Sequence, residues 1–222
     1  MNGKSWQRAR SSEQVQERVS EILEGAAAVF LSVPYEKATM QMIAREAGFT
    51  RSNLYRYFNT REEIFLALFM KDLDAWAHSI IAAFNSEDSL KSFARRWTEL
   101  LCRQTRLLRL TPLLTITLEK NTSEEVYRQT KLTLHEKMTA VVPHLQRALP
   151  SLSDMQVFEF LLFHQALLSG AQPMARYSDM QLRVLDELKL QVLKIDFAAF
   201  YEKSILMYLR GVLASGEDGP QS

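Results

Sequence analysis

Apolar residues recur along this chain at the three-to-four-residue spacing of a helix face, and strict strand-like alternation is scarce. Val15, Val19, Ile22, Leu23, Ala26, Ala27 and Phe30 form the first stripe. It predicts a helix from about Ser12, a capping residue with Glu13 behind it, to Leu31. Pro34 ends it, because a helix rarely continues into the residue before a proline. Met40, Ile43, Ala44 and Ala47 predict a second helix, capped by Thr39. Gly48 fits the turn that follows, where a left-handed backbone is cheap only for glycine. Thr50 caps a third helix, anchored by Leu54 and Phe58. The run Thr60-Arg61-Glu62-Glu63 reads as a capping box, with Glu63 at the reciprocal position. It opens a fourth helix whose stripe runs from Ile64 to Ile80 and which ends near Asn85.

Beyond residue 85 the pattern remains helical. One helix is expected over about Asp88–Leu108, and a shorter one from Pro112 to about Lys120. A long helix runs from Ser123 toward Ala148, broken or kinked at Pro143. An unusually apolar one covers Met155–Ser169. Gly170, Pro173 and Ser178 mark a loop or kink, and a last helix or helix pair spans about Asp179–Ala214. The fold class is therefore all-α. The expected organisation is a flexible basic arm (1–11), a three-helix helix-turn-helix head (12–59), a helical body (60–214) and a disordered tail (215–222).

Composition agrees with a globular helical protein: 47% hydrophobic, 24% charged, with only 7 Gly and 6 Pro in 222 residues. Net charge is +1, but unevenly spread. Residues 1–61 hold 9 Lys/Arg against 6 Asp/Glu, whereas the remainder is slightly acidic. A modestly basic head on a neutral body suits nucleic acid. The single cysteine, Cys102, forbids an intrachain disulfide and fits a reducing compartment. The N-terminus has no apolar signal-peptide core, and no run of about 18 apolar residues could span a membrane. A soluble, cytoplasmic protein is expected.

The segment Thr39–Arg61 carries the most specific chemistry. A recognition helix presents the residues at its start to base edges in the major groove. Here these are Arg51, Ser52, Asn53, Tyr55 and Tyr57, behind the cap Thr50. Arg51 can contact guanine O6 and N7 in bidentate fashion. The hydroxyls of Tyr55 and Tyr57 can reach phosphates, and Ser52 and Asn53 either bases or phosphates. Thr39 and Gln41 should meet the backbone, and Arg61 a phosphate at the start of the fourth helix. The competing reading is a solvated face in which both tyrosines merely pack.

At TMQMIAREAGFTRSNLYRYFNTREEIF the chain resembles the TetR family of bacterial transcriptional regulators. The matching residues are Thr39, Ile43, Ala44, Ala47, Gly48, Leu54, Tyr55, Tyr57, Phe58 and Glu62. Ile22, Ala26, Phe30 and Tyr35 fit the family's first helix. Pro34 stands where glycine is frequent, and Arg61 where lysine is usual. The resemblance covers about 50 residues. It implies a homodimer with a DNA-binding head, a body that binds a small-molecule effector, and repression relieved by that effector.

One head reads few base pairs, so two heads about 34–36 Å apart on a palindromic double-stranded operator are expected. Candidate dimer residues are Phe158, Leu161 and Leu162 on one apolar helix. Phe197, Phe200, Ile205, Tyr208 and Leu209 lie on the last. Both sets could equally pack within one chain. Effector candidates are polar or aromatic residues of the body: Trp97, Arg106, Thr117, Tyr127, His164, Gln165, Gln172 and Tyr177. His164, within FLLFHQALLSG, needs a partner: a ligand, a group across the dimer, or a carbonyl. Met, Phe and Leu content favours an apolar or aromatic effector. The histidines lie at no metal-ligand spacing, and no nucleophile elbow, phosphate loop or dinucleotide fingerprint occurs. No cofactor and no enzymatic activity are therefore expected. An activator of the same fold, or a helical partner-binding protein with a degenerate head, are the alternatives.

Overall fold

A computed structural model describes the backbone of residues 3–217 and the side chains of 13–214. Its regular structure is helical. α1 spans Gly3–Ser32, α2 Met40–Glu46, α3 Arg51–Leu54, α4 Arg61–Ala83 and α5 Leu90–Cys102. α6 spans Thr105–Leu113, α7 Glu124–Ala148, α8 Asp154–Met174, α9 Asp179–Glu187 and α10 Phe197–Glu217.

The expected N-terminal arm is helical in its backbone from Gly3, so Ser12 is an interior residue and not a cap. Residues 4–11 contain no breaker and several good helix formers, so nothing halts the helix at Ser12. The basic side chains expected on that arm lie outside the described residues, as do residues 218–222 of the expected tail; α10 itself reaches Glu217.

Contacts divide the chain into two units. The first reaches to Met70 and includes Thr115–Tyr127. The second comprises Lys71–Leu114 and the residues from Arg128 on. The first unit thus includes residues beyond the Asn59/Thr60 boundary expected for the head, and a later segment. α4 and α7 each begin in the first unit and end in the second.

In the first unit α1 packs on α2, and α2 on α3. Ile22, Phe30, Ile43, Leu54, Ile64 and Phe65 are fully buried there. Thr60 caps α4 by accepting from Glu63 N (3.1 Å) and donates to Asn121 O (3.3 Å). The box is only half formed. The buried Glu63 carboxylate reaches one residue further back and accepts from Asn59 N at 2.8 Å.

In the second unit the helix expected over 88–108 breaks at Arg103–Gln104 into α5 and α6. Pro112 lies inside α6 rather than at a helix start, and the chain leaves α6 through a π turn, Leu114–Leu118. Wider turns of this kind accommodate a disturbed hydrogen-bond ladder. Pro143 does not break α7, and α8 continues through Gly170 and Pro173 to Met174. The core is aromatic. Phe84, Phe93, Trp97 and Phe160 interlock with centroids 4.7–6.3 Å apart. α10 packs on α5 and α8 through Tyr201, Ile205 and Leu209.

Candidate nucleic-acid interface

Local chemistry builds the helix-turn-helix. Thr39 Oγ1 accepts from Met42 N (3.2 Å) and Thr50 Oγ1 from Asn53 N (3.2 Å), so both predicted caps form. Gly48 has φ of +73°, the left-handed turn expected of it. Phe49 N then returns to Ala44 O at 2.8 Å, closing the end of α2. α3 is a single turn, extended by Tyr57 N and Phe58 N, which both donate to Leu54 O.

This turn sorts the predicted DNA residues. Leu54 faces the core, while Arg51, Ser52 and Tyr55 face solvent. Arg51 Nη2 donates to Tyr55 Oη at 3.1 Å, with the guanidinium 5.5 Å from the ring centre. The pair is four residues apart on one exposed face, so each side chain limits the other's freedom. Ser52 Oγ lies 3.2 Å from Thr50 Oγ1. Tyr57 is half-buried and packs edge-on against Phe49, centroids 6.2 Å apart; it is an anchor with an available hydroxyl. Asn53 is half-buried as well.

Thr39, Gln41 and Arg51 line one groove of about 500 Å³ together with Met42, Ala44, Arg45 and Phe49. Arg45 is an exposed residue of α2. With Arg51 it gives the groove two guanidinium-bearing lining residues, which is phosphate-binding chemistry.

Arg61, expected to meet a phosphate, has its guanidinium engaged within the chain. Its Nη1 donates to Ala38 O (2.5 Å), Tyr35 O (3.2 Å) and Glu36 O (3.4 Å), and its Nε to Glu62 Oε1 (2.8 Å). The guanidinium also lies 4.8 Å over the Tyr35 ring. Tyr35 Oη in turn donates to Glu62 Oε1 at 3.0 Å. Burial, then the Glu62 charge, push the Tyr35 hydroxyl's pKa upward, so it stays a donor. Arg61 therefore clamps the Tyr35–Lys37 turn to the start of α4.

Among the described residues the effector candidates have different surroundings. Thr117 and Tyr127 lie in the first unit, where Tyr127 borders a separate hollow of about 440 Å³. Arg106 grips Asp72 in bidentate fashion, Nε donating to Oδ2 at 2.7 Å and Nη2 to Oδ1 at 2.5 Å. Tyr177 Oη donates to Leu193 O and accepts from Ile195 N. Gln165 neighbours Ser169 (3.5 Å), and Gln172 is buried. Trp97 and His164 are core residues. The Tyr201 hydroxyl donates to His164 Nδ1, and Trp97 Nε1 points at both. Burial holds the imidazole's pKa down to about 3, so the ring is neutral. Trp76 stacks on it (4.8 Å, 17°), with its own Nε1 buried and lacking an acceptor among the described residues.

The dimer candidates are split by burial. Leu161, Ile205 and Leu209 are buried within the chain. Phe158, Phe197 and Tyr208 are half-buried, and Leu162 and Phe200 exposed. The outward face of α8 is Met155, Phe158, Leu162, Ala166 and Gly170, and that of α10 includes Phe200 and Met207. The inward residues follow the alternative of packing within their own chain, which an all-round apolar helix leaves open because it does not declare which side meets that chain.

The model of the family described as "Bacterial regulatory proteins, tetR family" matches residues 22–68. That of "Tetracyclin repressor-like, C-terminal domain" matches residues 70–216. The chain belongs to the TetR family. This TetR-family chain is a DNA-binding transcriptional regulator rather than an enzyme. A curated relative, the uncharacterized HTH-type transcriptional regulator YfiR of Bacillus subtilis (strain 168), is 38% identical over 64 residues. That match spans 29% of this chain and only 31% of YfiR. A TetR transcriptional regulator from Rhodococcus sp. RHA1 shares the fold, with TM-score 0.56 and 16% identity over 89% of this chain and 97% of the other. The fatty acid degradation regulator FadR from Bacillus halodurans does so with TM-score 0.53 and 16% identity over 86% and 94%. Among the described residues no helix is long and apolar enough to cross a membrane.

Proposed function

We propose that this regulator is a homodimeric repressor that reads a palindromic operator through α3 and leaves it when an apolar or aromatic small molecule binds the second unit. The observation that carries the reading is the exposed, mutually braced Arg51–Tyr55 pair at the start of a capped recognition helix. Arg51 reads a guanine, Ser52 and Tyr55 bases and phosphates, and Thr39, Gln41 and Arg45 hold the backbone. The exposed faces of α8 and α10 form the contact between copies. Trp76 Nε1, a buried donor beside His164 and Trp97, supports the effector reading. A flat apolar molecule with one acceptor would satisfy it, and a buried unpaired donor costs about 1–3 kcal/mol. Such a molecule shifts the population between head arrangements by binding one better.

Selection from random duplexes, followed by binding across a salt series, tests the reading. The expected product is a palindrome bound with steep salt dependence, and Arg51→Ala should cost about 1–3 kcal/mol and relax one base pair. Selected pools without a shared sequence would sink it. Aromatic ligands would then be scored by quenching of tryptophan fluorescence together with operator release.

A further inference from the structure

The segment joining α8 to α10 is ordered without a core of its own. Ser178 and Gln181 close a reciprocal cap on α9, at 3.3 and 2.8 Å. At its far end Leu190 N returns to Leu185 O (2.9 Å) around Lys189, whose φ is +56°. The Asp186 carboxylate takes the Lys194 ammonium (2.5 Å) and the Gln191 amide (2.7 Å). Tyr177 Oη ties Leu193 O and Ile195 N, each at 2.8 Å. Polar bonds within the segment thus fix its course.

Six of its apolar side chains are exposed. No residue of α9 or of the 191–193 turn is buried. Met180, Val184 and Leu188, at i, i+4 and i+8, form one exposed stripe. Leu190, Val192 and Leu193 continue it, with Val192 89% exposed. An ordered apolar surface of this kind marks an interaction site.

Two observations favour a second copy of this chain as what covers it. First, this segment is the arm that runs from the outward face of α8 at one end to that of α10 at the other. Met174 is exposed at the last turn of α8 and Phe200 in the first turn of α10, so apolar surface follows the chain from Leu162 through the arm to Met207. Second, residues 176–196 hold four basic and four acidic side chains (Arg176, Asp179, Arg183, Asp186, Glu187, Lys189, Lys194 and Asp196), with no net charge. Such a surface has no single-sign field to draw a polyanion or an acidic or basic partner. It suits the self-complementary contact of a twofold dimer.

We propose that residues 175–196 form a dimer clasp, which lays Leu188, Val192 and Leu193 on a second copy of this chain. The inference rests on the homodimer reading and adds a contact outside the α8 and α10 faces.

The test is sedimentation velocity over a concentration series with the full chain and two variants, Val192→Asp/Leu193→Asp and Val192→Ala/Leu193→Ala, with helical content followed by circular dichroism. The wild type should be dimeric. Both variants should keep their helical content, and the Asp variant should raise the dimer dissociation constant about tenfold or more. Amide exchange over 179–195 should slow with rising concentration in the wild type alone. A wild-type dimer whose dissociation constant is unchanged in both variants overturns the clasp and leaves the homodimer standing. A wild type that stays monomeric at every concentration overturns both.

Discussion

Gly25 lets α1 pass so close to Ala47 that a Cβ on Gly25 would stand 2.8 Å from the Cβ of Ala47 and 2.8 Å from its backbone nitrogen. The backbone atom cannot swing aside as a flexible side chain would. Gly25→Ala should therefore push α1 off the helix-turn-helix at a cost of about 1–3 kcal/mol, the usual range for overpacking. Denaturant unfolding measures the loss, and operator affinity should fall with it. An unchanged unfolding midpoint would mean that α1 can slide without penalty.

Arg61 offers a cleaner separation of roles. If its guanidinium clamps the carbonyls of Tyr35 and Ala38, Arg61→Lys should fail nearly as badly as Arg61→Ala. An ammonium cannot reproduce a fork that serves three carbonyls, Glu62 and the Tyr35 face together. Both variants should lose about 1–3 kcal/mol of stability and leave the salt slope of DNA binding unchanged. A phosphate contact predicts the opposite: Arg61→Lys would keep the slope, and Arg61→Ala would reduce it by about one unit.

These two residues show where the sequence is readable. Thr39, Gly48, Thr50 and Thr60 shape their helix ends through bonds within five positions, so those capping and turn roles follow from local chemistry; the bond from Thr60 to Asn121 O, 61 residues on, does not. Arg61 has the right charge at a helix start, but the carbonyls it serves lie 23 to 26 residues upstream. No periodicity reveals that. Gly25 is invisible for a related reason, since nothing local distinguishes a helical glycine that meets Ala47 from Gly170, which meets nothing. His164 did signal that it needed a partner, and the Tyr201 hydroxyl supplies it from 37 residues away.

That same histidine makes stability depend on pH. Buried and neutral, its imidazole is held to about 3, against about 6.5 when the chain is unfolded. Between those values the unfolded chain binds a proton that the folded chain refuses, so acid favours unfolding. The contribution is fully present above pH 6.5. It is lost as pH falls toward 3, at up to about 1.4 kcal/mol per pH unit. Unfolding free energies measured at several pH values for the wild type and His164→Asn should differ in slope below pH 6.5, with the variant shallower. Parallel slopes would show that His164 is protonated in the fold.

Leu161 and Leu162 are adjacent on α8 and should behave oppositely. Leu161 is 6% exposed and Leu162 63%. Truncating the first, Leu161→Ala, empties packed space and should cost about 2–4 kcal/mol of folding stability. Leu162→Asp removes nothing from the core, so the isolated chain should lose about 0.5 kcal/mol or less. If the outward face of α8 joins two copies, that substitution places a carboxylate in an apolar contact, and the dimer should dissociate at concentrations where the wild type holds. Folding stability coupled to dimerisation rises with protein concentration, so unfolding must be compared at matched dilution. A Leu162→Asp chain that still sediments as a dimer would move the contact off α8, and an unfolded one would mean that Leu162 packs within its own chain.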